Sequence, residues 1–337
     1  MTNPTLRFSV AGTKLSFRAE LLPEENPEVV KLVLQQLPFS SVLGHVIVAG
    51  ETFWMPTKIL SLGGSNMVER QPGAVYHYAP GQTINICYGE VTETAKVNKF
   101  AQIYHDDLGK LETVGKLVYD KTVSSADKTI LRIDVSLMDA SPTRPIVKQP
   151  TATLPTDPND WRVLKARIEE ATNAISVEEP DEVRQVRLGY VASGAGTGGQ
   201  FFSVLIHLKA YLMMDGADIL YRLLKLKDER AMTSPQLKRI TIEIMVKSFD
   251  HFQFLGDLGL HSVEAFGSRY KTALATVHNK EDFVELTGAL LSYINHLHRW
   301  LHIVFPWHLG SQFPRRTLAE IADLPKLPTY SEEAVDA

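Results

Sequence analysis

The chain has 337 residues, 35 lysines and arginines against 39 aspartates and glutamates, a formal net charge of −4, and 44% hydrophobic and 22% charged residues. That length exceeds one domain of roughly 150 residues, and the composition is that of a globular protein with a sizeable core, which excludes bulk disorder. The slight acidity argues against a nucleic-acid partner, which requires a basic excess, and the lone Cys87 excludes an intramolecular disulfide or a cysteine metal cage.

The start, Met1 to Arg7, lacks the basic and apolar signature of a secretory signal. Leu6–Ala11 and Lys14–Leu21 alternate apolar and polar residues, the period of half-buried strands, with Gly12 at the turn. Between Glu24 and Leu37 the period changes: Val29, Val30, Leu32, Val33, Leu34 and Leu37 predict one helix, opened near Asn26-Pro27 and stopped by Pro38. Strand patterns return at Gly44–Ala49, Thr52–Met55, Val75–Tyr78, Thr83–Tyr88, Phe100–Tyr104 and Thr129–Met138, most of them separated by glycine or proline turns. Many short strands with few helices predict a closed β-barrel over residues 1–140, an arrangement that leaves no exposed sheet edge.

Residues 141–160 contain five prolines among Ser, Thr and Asp and read as an extended linker. Beyond it the period is helical. Thr156-Asp157-Pro158 opens a helix through Trp161, Leu164, Ile168 and Ala171. Further helices are predicted at Glu182–Tyr190, Gln200–Leu226, Ser234–Leu255, Ser262–Val277 and Lys280–Phe305, a bundle over 161–325 followed by a polar tail at 326–337. The overall expectation is an α+β chain, a β-barrel followed by an all-α helical bundle. The longest apolar stretch, Leu286–Trp307, is broken by Asn295, His296, His298, Arg299 and His302, so it reads as a buried helix and no membrane partner is expected.

Chemistry concentrates in Arg70–Gly81 and Asn85–Glu90, two strands joined by a Pro-Gly turn. Alternation puts Tyr76 and Tyr78 on one face and His77 on the other. Glu90 follows Tyr88-Gly89 at a strand end, where a barrel mouth would hold it; a carboxylate among aromatic rings can act as a general base, and the plainer reading is an exposed rim glutamate. The plainer reading of His77 is an ordinary barrel-wall residue. Gly194–Gly199 precedes a helix whose free N–H groups would attract an anion, with Arg187, Ser193 and Thr197 as further donors; a simple interhelical connection fits equally. Helical pattern precedes that loop, so it is not a dinucleotide fingerprint. His298 and His302 share a helix face, with His296 and His308 nearby, yet no acidic residue lies close in sequence; a packed polar face is expected, and no metal. Phe201, Phe202, Tyr211, Met213 and Met214 read as core.

The order Leu37-Pro38, Gly44-His45, Pro72-Gly73, Tyr78-Ala79-Pro80-Gly81, Tyr88-Gly89 and Asn98-Lys99-Phe100-Ala101 resembles the cyclophilin-like barrels, in the subgroup at the front of cucumopine-type opine synthases. The half from Arg187-Leu188-Gly189-Tyr190 through Gln200-Phe201-Phe202 is similar to the helical bundle of the same enzymes. Together the two cover roughly residues 5–320, and β-carboline-forming Pictet–Spenglerases share the resemblance.

The resemblance implies a Pictet–Spengler condensation. The α-amine of L-histidine forms a ketimine with 2-oxoglutarate, the imidazole carbon closes a six-membered ring, and loss of a ring proton restores aromaticity, with no net redox and no cofactor. It further implies a homodimer whose partners are an amino acid and a 2-oxo acid or aldehyde, and the missing signal with the lone Cys87 suits a cytoplasmic setting. Three substrate carboxylates need donors, for which Arg70, Arg187 and the glycine-loop N–H groups with Ser193 and Thr197 are the candidates. Glu90 is the candidate base, with Glu51 and Glu69 as rivals. His77 is the candidate proton donor or imidazole-orienting group, and Tyr76, Tyr78 and Tyr88 would frame the ring. Two other functions stay open: β-carboline formation from L-tryptophan, and a barrel that binds a small acid or peptide without chemistry.

Overall fold

The computed structural model describes residues 3–138, 154–190, 201–229, 232–312 and 318–323. The first half opens with a hairpin of β1 (Thr5–Val10) and β2 (Ser16–Leu21), in which Phe8 lies opposite Phe17 with stacked rings 5.0 Å apart. Helix α1 (Pro27–Gln36) starts where the sequence indicates: the Asn26 side chain accepts the Val29 N–H, proline occupies the first turn, and Val29, Val30 and Val33 are buried. Then follow β3 (Phe39–His45), β4 (Gly50–Pro56), β5 (Met67–Val68), β6 (Ala74–Tyr78), β7 (Thr83–Val91), β8 (Val97–Ile103), α2 (Leu108–Tyr119) and β9 (Leu131–Leu137).

Every pairing is antiparallel. The strand order β2-β1-β9-β3-β4-β7-β6-β8 closes through β8 onto β2, a barrel of eight strands with β5 appended to β8. The interior holds Phe8, Phe17, Phe53, Met55, Val75, Ile84, Ile86 and Phe100, the inward members of each alternating strand. Helix α1 lies where β2 ends and β8 begins, tied by Asn26 Nδ2 donating to Asn98 Oδ1 (2.7 Å). Helix α2 lies at the opposite end, anchored by Arg18 to the buried Asp107 at 2.7 Å. Both helices push valines and leucines into the same core.

Two departures from the sequence pattern have clear causes. The predicted strand Gly44–Ala49 is in fact Phe39–His45, because Phe39–Leu43 pair with β9, about ninety residues away, and no local pattern reports such a partner. Helix α2 was not anticipated, although Leu108, Leu111, Val114 and Val118 follow helical spacing.

The second half is α3 (Trp161–Ala174), α4 (Asp181–Arg187), α5 (Phe201–Tyr211), α6 (Asp218–Lys225), α7 (Ser234–Asp257), α8 (His261–Leu274), α9 (Lys280–Val304) and the short α10 (Leu318–Ala322). Thr233 and Gln236 form a reciprocal capping box at the start of α7. Helices α5 and α6 form the single run expected from the sequence, with a π-helical turn over Leu212–Ala217 between them. Helix α9 is buried along most of its length and is the axis of the bundle. Among the described residues no helix is long and apolar enough to cross a membrane. The linker expected at 141–160 falls largely, and the tail at 326–337 wholly, outside the described residues.

The two halves meet through the outer wall of the barrel. Val42 and Trp54, which point away from the barrel interior, belong to the hydrophobic core of the bundle. Polar contacts fix the junction: Gln82 Nε2 donates to Ser292 Oγ (2.9 Å), and Asn295 Nδ2 donates to the Pro80 carbonyl (3.0 Å) and to Gln82 Oε1 (3.1 Å).

Candidate active site between barrel and bundle

At that junction lies a cavity of about 470 Å³. Its barrel wall is built by strand register. Trp54 on β4 is opposite Asn85 on β7, and Asn85 is opposite Tyr76 on β6, so three outward side chains stand in one row. Tyr78 extends that face by the period of two, with the loop Val46–Ala49 at its edge. Arg70, just before β6, and Glu93, just after β7, complete this side. They form an ion pair, and the Arg70 guanidinium lies 5.7 Å from the Tyr76 ring centre.

The bundle wall follows from helical spacing. Asn295, His298, Arg299 and His302 recur at i, i+3, i+4 and i+7 on α9 and all face the cavity. Lys209, Met213 and Ala217 recur every fourth residue across the end of α5 and the π-turn, followed by Asp218 at the start of α6. Such turns are frequent at functional sites because they re-aim a helix face. Trp307, whose indole donates to the His302 carbonyl (2.8 Å), closes the end.

The electrostatics are lopsided. Arg299 lies against the Trp54 ring at 4.9 Å, and burial lowers its pKa to about 10. Burial, with Arg299 nearby, lowers Lys209 to about 7. Among the described residues no carboxylate pairs with either cation. Asp218 has its carboxyl pushed up by burial, opposed by Arg222. His302 Nε2 lies 3.0 Å from the His45 carbonyl, and a carbonyl only accepts; the hydrogen is therefore on Nε2, and the Nδ1 lone pair faces Lys209 Nζ at 3.2 Å. Burial holds the pKa of both His298 and His302 well below the ordinary histidine value, so both rings are neutral. Trp54 donates to the same His45 carbonyl (3.2 Å), which locks the barrel side to α9.

The residues singled out in the sequence divide. Arg70, Tyr76 and Tyr78 line the cavity. Glu90 does not: it is exposed at the end of β7, where its N–H donates to Glu51 Oε2 (2.7 Å), and neither Glu51 nor the exposed Glu69 lines the cavity. His77 points inward, opposite Ile84, and burial lowers it to about 4; it is the barrel-wall residue of the plainer reading. Tyr88 is also inside the barrel, its hydroxyl 2.8 Å from His45 Nε2. Arg187 is engaged by Glu179 through two bonds of 2.8 and 2.9 Å and lies outside the cavity. Ser193, Thr197 and the glycine loop lie outside the described residues. The physical reason for these shifts is that the cavity sits on the barrel's outer wall rather than at its mouth, so outward residues of β4, β6 and β7 face it. Among the described residues no group of three or more His, Cys, Asp or Glu side chains could hold a metal ion.

Residues 161–303 match the family model of the cucumopine synthase C-terminal helical bundle domain. The match covers most of the helical half of the chain and none of the barrel. The matched stretch includes α5 and nearly all of α9, and with them Lys209, Arg299 and the cavity histidines. Among solved structures, McbB in complex with tryptophan superposes with a TM-score of 0.80 at 24% identity, covering 92% of this chain and 100% of that one, so the barrel-plus-bundle fold is shared throughout. A hypothetical protein from Archaeoglobus fulgidus aligns over 40% of this chain and 95% of its own at 19% identity; its TM-score is 0.29 and it carries no argument. No curated protein sequence matches the chain.

Glu93, Lys209 and Arg299 were missed as site residues in the sequence, and His302 was weighed there only as a metal ligand. For Arg299 a signal existed, since it is the one charged residue inside the apolar stretch Leu286–Trp307. Glu93 lies only three residues beyond Glu90, past the end of the strand pattern, where alternation no longer assigns a face.

Proposed function

We propose that the chain is a Pictet–Spengler-type condensing enzyme that joins the amine of an aromatic amino acid, L-histidine first, to a 2-oxo acid, 2-oxoglutarate first, to give a cyclic opine. The observation that carries this reading is the cavity itself. It combines aromatic walls (Trp54, Tyr76, Tyr78, Trp307), a cation without a carboxylate partner among the described residues (Arg299) and a carboxylate held by an arginine (Glu93 on Arg70). The cucumopine-type bundle agrees with it.

The reaction needs three services. Arg299 anchors a substrate carboxylate in a low-dielectric setting, where a charge-assisted bond is strong. The facing aromatic rings hold the heteroaromatic ring in attack geometry on the imine carbon, which replaces a costly encounter with a near-unimolecular step. After ring closure a base must remove the ring proton. Glu93 lines the cavity with its Oε2 held by Arg70, so Glu93 takes the role that sequence position had given to Glu90.

The test is a mass assay with paired variants. Wild type with L-histidine and 2-oxoglutarate is expected to give a product equal to their sum less one water. Glu93→Gln is expected to lower turnover by roughly 10²–10⁴-fold, while Glu90→Gln, outside the cavity, keeps it. Wild-type turnover in Glu93→Gln would remove that carboxylate from the chemistry, and no product with any amine–carbonyl pair would leave a binding module.

A second reading changes only the amine. McbB, which shares the fold, was solved with tryptophan, and a cavity walled by Trp54, Tyr76, Tyr78 and Trp307 accepts an indole as well as an imidazole. The same assay with L-tryptophan and an aldehyde or oxo acid decides between the two by product mass.

A further inference from the structure

We propose that Lys209 is a carbonyl-activating nucleophile: its Nζ forms an imine with the 2-oxo acid and then passes that carbon to the amine of the amino acid. The inference rests on the reading above only in that the cavity receives a carbonyl compound.

The geometry is specific. Lys209 projects from the last turn of α5 into the same cavity as Arg299, Glu93 and Tyr76. A buried lysine is seldom found without a paired carboxylate; among the described residues none pairs with this one. Its hydrogen-bond partner is instead the Nδ1 lone pair of His302 at 3.2 Å, an acceptor made available because Nε2–H is committed to the His45 carbonyl. Arg299, a second cation facing the same space, disfavours another positive charge there. The rings of Trp307 and Phe305, 5.1 and 5.6 Å from Nζ, favour the ammonium, but burial outweighs them and brings the group to about 7. A substantial share of Lys209 is thus a free amine at neutral pH. Desolvation together with a neighbouring cation is a recognised way to activate a lysine for imine chemistry.

The steps balance without a further reagent. The Lys209 amine adds to the carbonyl carbon of the oxo acid, and a C–N bond replaces the C–O π bond. Both amine protons travel to the carbonyl oxygen, relayed by His302 Nδ1, and that oxygen leaves as water. The amino acid's amine then adds to the same carbon. Its two protons pass to the lysine nitrogen, the C–N bond to Lys209 breaks, and the substrate imine remains, ready for ring closure, with Lys209 restored. Exchange between two amines through an imine avoids building the substrate imine directly from a carbonyl, and Arg299 holds the carboxylate throughout.

The experiment is reductive trapping. Full-length protein is incubated with 2-oxoglutarate and borohydride in the absence of amino acid, digested, and its peptides weighed. The expected result is one modified peptide, carrying Lys209, heavier by one oxo acid less one water plus two hydrogens. Lys209→Gln should remove the adduct. Lys209→Arg, which keeps the charge and most of the bulk, should stay folded by circular dichroism, give no adduct and condense roughly 100-fold more slowly. Absence of the adduct in a wild-type preparation that makes product overturns the proposal, as does near-normal turnover in Lys209→Arg; Lys209 would then be a carboxylate-holding ammonium. An adduct at Lys209 in a protein that makes no product would sink the condensing function and leave the lysine chemistry standing.

Discussion

Arg299 reaches the cavity because Gly81 has no side chain. A Cβ at Gly81 would lie 2.2 Å from Arg299 Nη2 and 2.8 Å from the Tyr78 ring. The guanidinium is the far end of a flexible chain and can swing aside, so Gly81→Ala should cost little stability, but the swing takes the charge out of the position from which it meets a carboxylate. The expected outcome is a KM for the oxo acid raised by about tenfold, with thermal stability nearly unchanged; steady-state kinetics beside a melting curve checks both. An unchanged KM would place the carboxylate elsewhere. At this scale the sequence was only half legible. Alternation correctly paired Tyr76 with Tyr78 and set His77 apart, because a strand's period of two is local. It could not tell which of the two faces meets a ligand. His77 was named as a candidate proton donor beside its plainer reading although its face is the packed interior, and Arg299 passed as a break in an apolar run.

Helix α2 shows the same division among elements. Its apolar spacing was present in the sequence, but strand patterns dominate on both sides of it, and Gly109 and Gly115 weaken its intrinsic preference. Tertiary packing decides the matter, with Leu111, Val114 and Val118 filling the barrel end. Gly115 is the close-contact point: a Cβ there would stand 2.3 Å from the ring of Tyr88. That ring is buried and tied to His45 Nε2, so it has little room to yield. Gly115→Ala should therefore destabilise the fold by about 1–3 kcal/mol, the usual cost of overpacking. The lowered urea midpoint should come with an unchanged slope. Because the carbonyl of His45 holds both Trp54 and His302, a shifted Tyr88 should also slow the reaction, linking a helix at the barrel end to the cavity on its outer wall. A variant as stable as wild type would mean that α2 tilts freely, contrary to its packing.

Taken whole, the molecule was most legible where order along the chain mirrors order in space: a barrel, then a bundle. The site was least legible because it is made by neither half. Residues between Val46 and Glu93 meet residues between Lys209 and Trp307 only when the outer wall of the barrel docks on α9, and no local pattern encodes that docking. Burial, within the barrel and at the docked face alike, also sets the response to acid. His45 and His77 in the barrel and His296 on α9 are each lowered to about 4, and His298 and His302 lie well below the ordinary value of 6.5, in every case chiefly through burial. A histidine whose folded pKa lies below its unfolded one binds protons only on unfolding across the interval between them. Its contribution to stability is therefore whole above about pH 6.5 and is lost as the pH falls toward 4. One such group gives a slope of up to ~1.4 kcal/mol per pH unit, and several together give a few kcal/mol per unit, enough to erase the stability of an ordinary protein within two units. Urea titrations at intervals from pH 7.5 to 4.5 should show the unfolding free energy level at first and then falling steeply below 6.5. His296→Gln, which takes one titrating group out of the junction, should flatten that fall. A free energy constant down to pH 4.5 would mean that these imidazoles reach water in the folded state, and that barrel and bundle are not sealed together around α9.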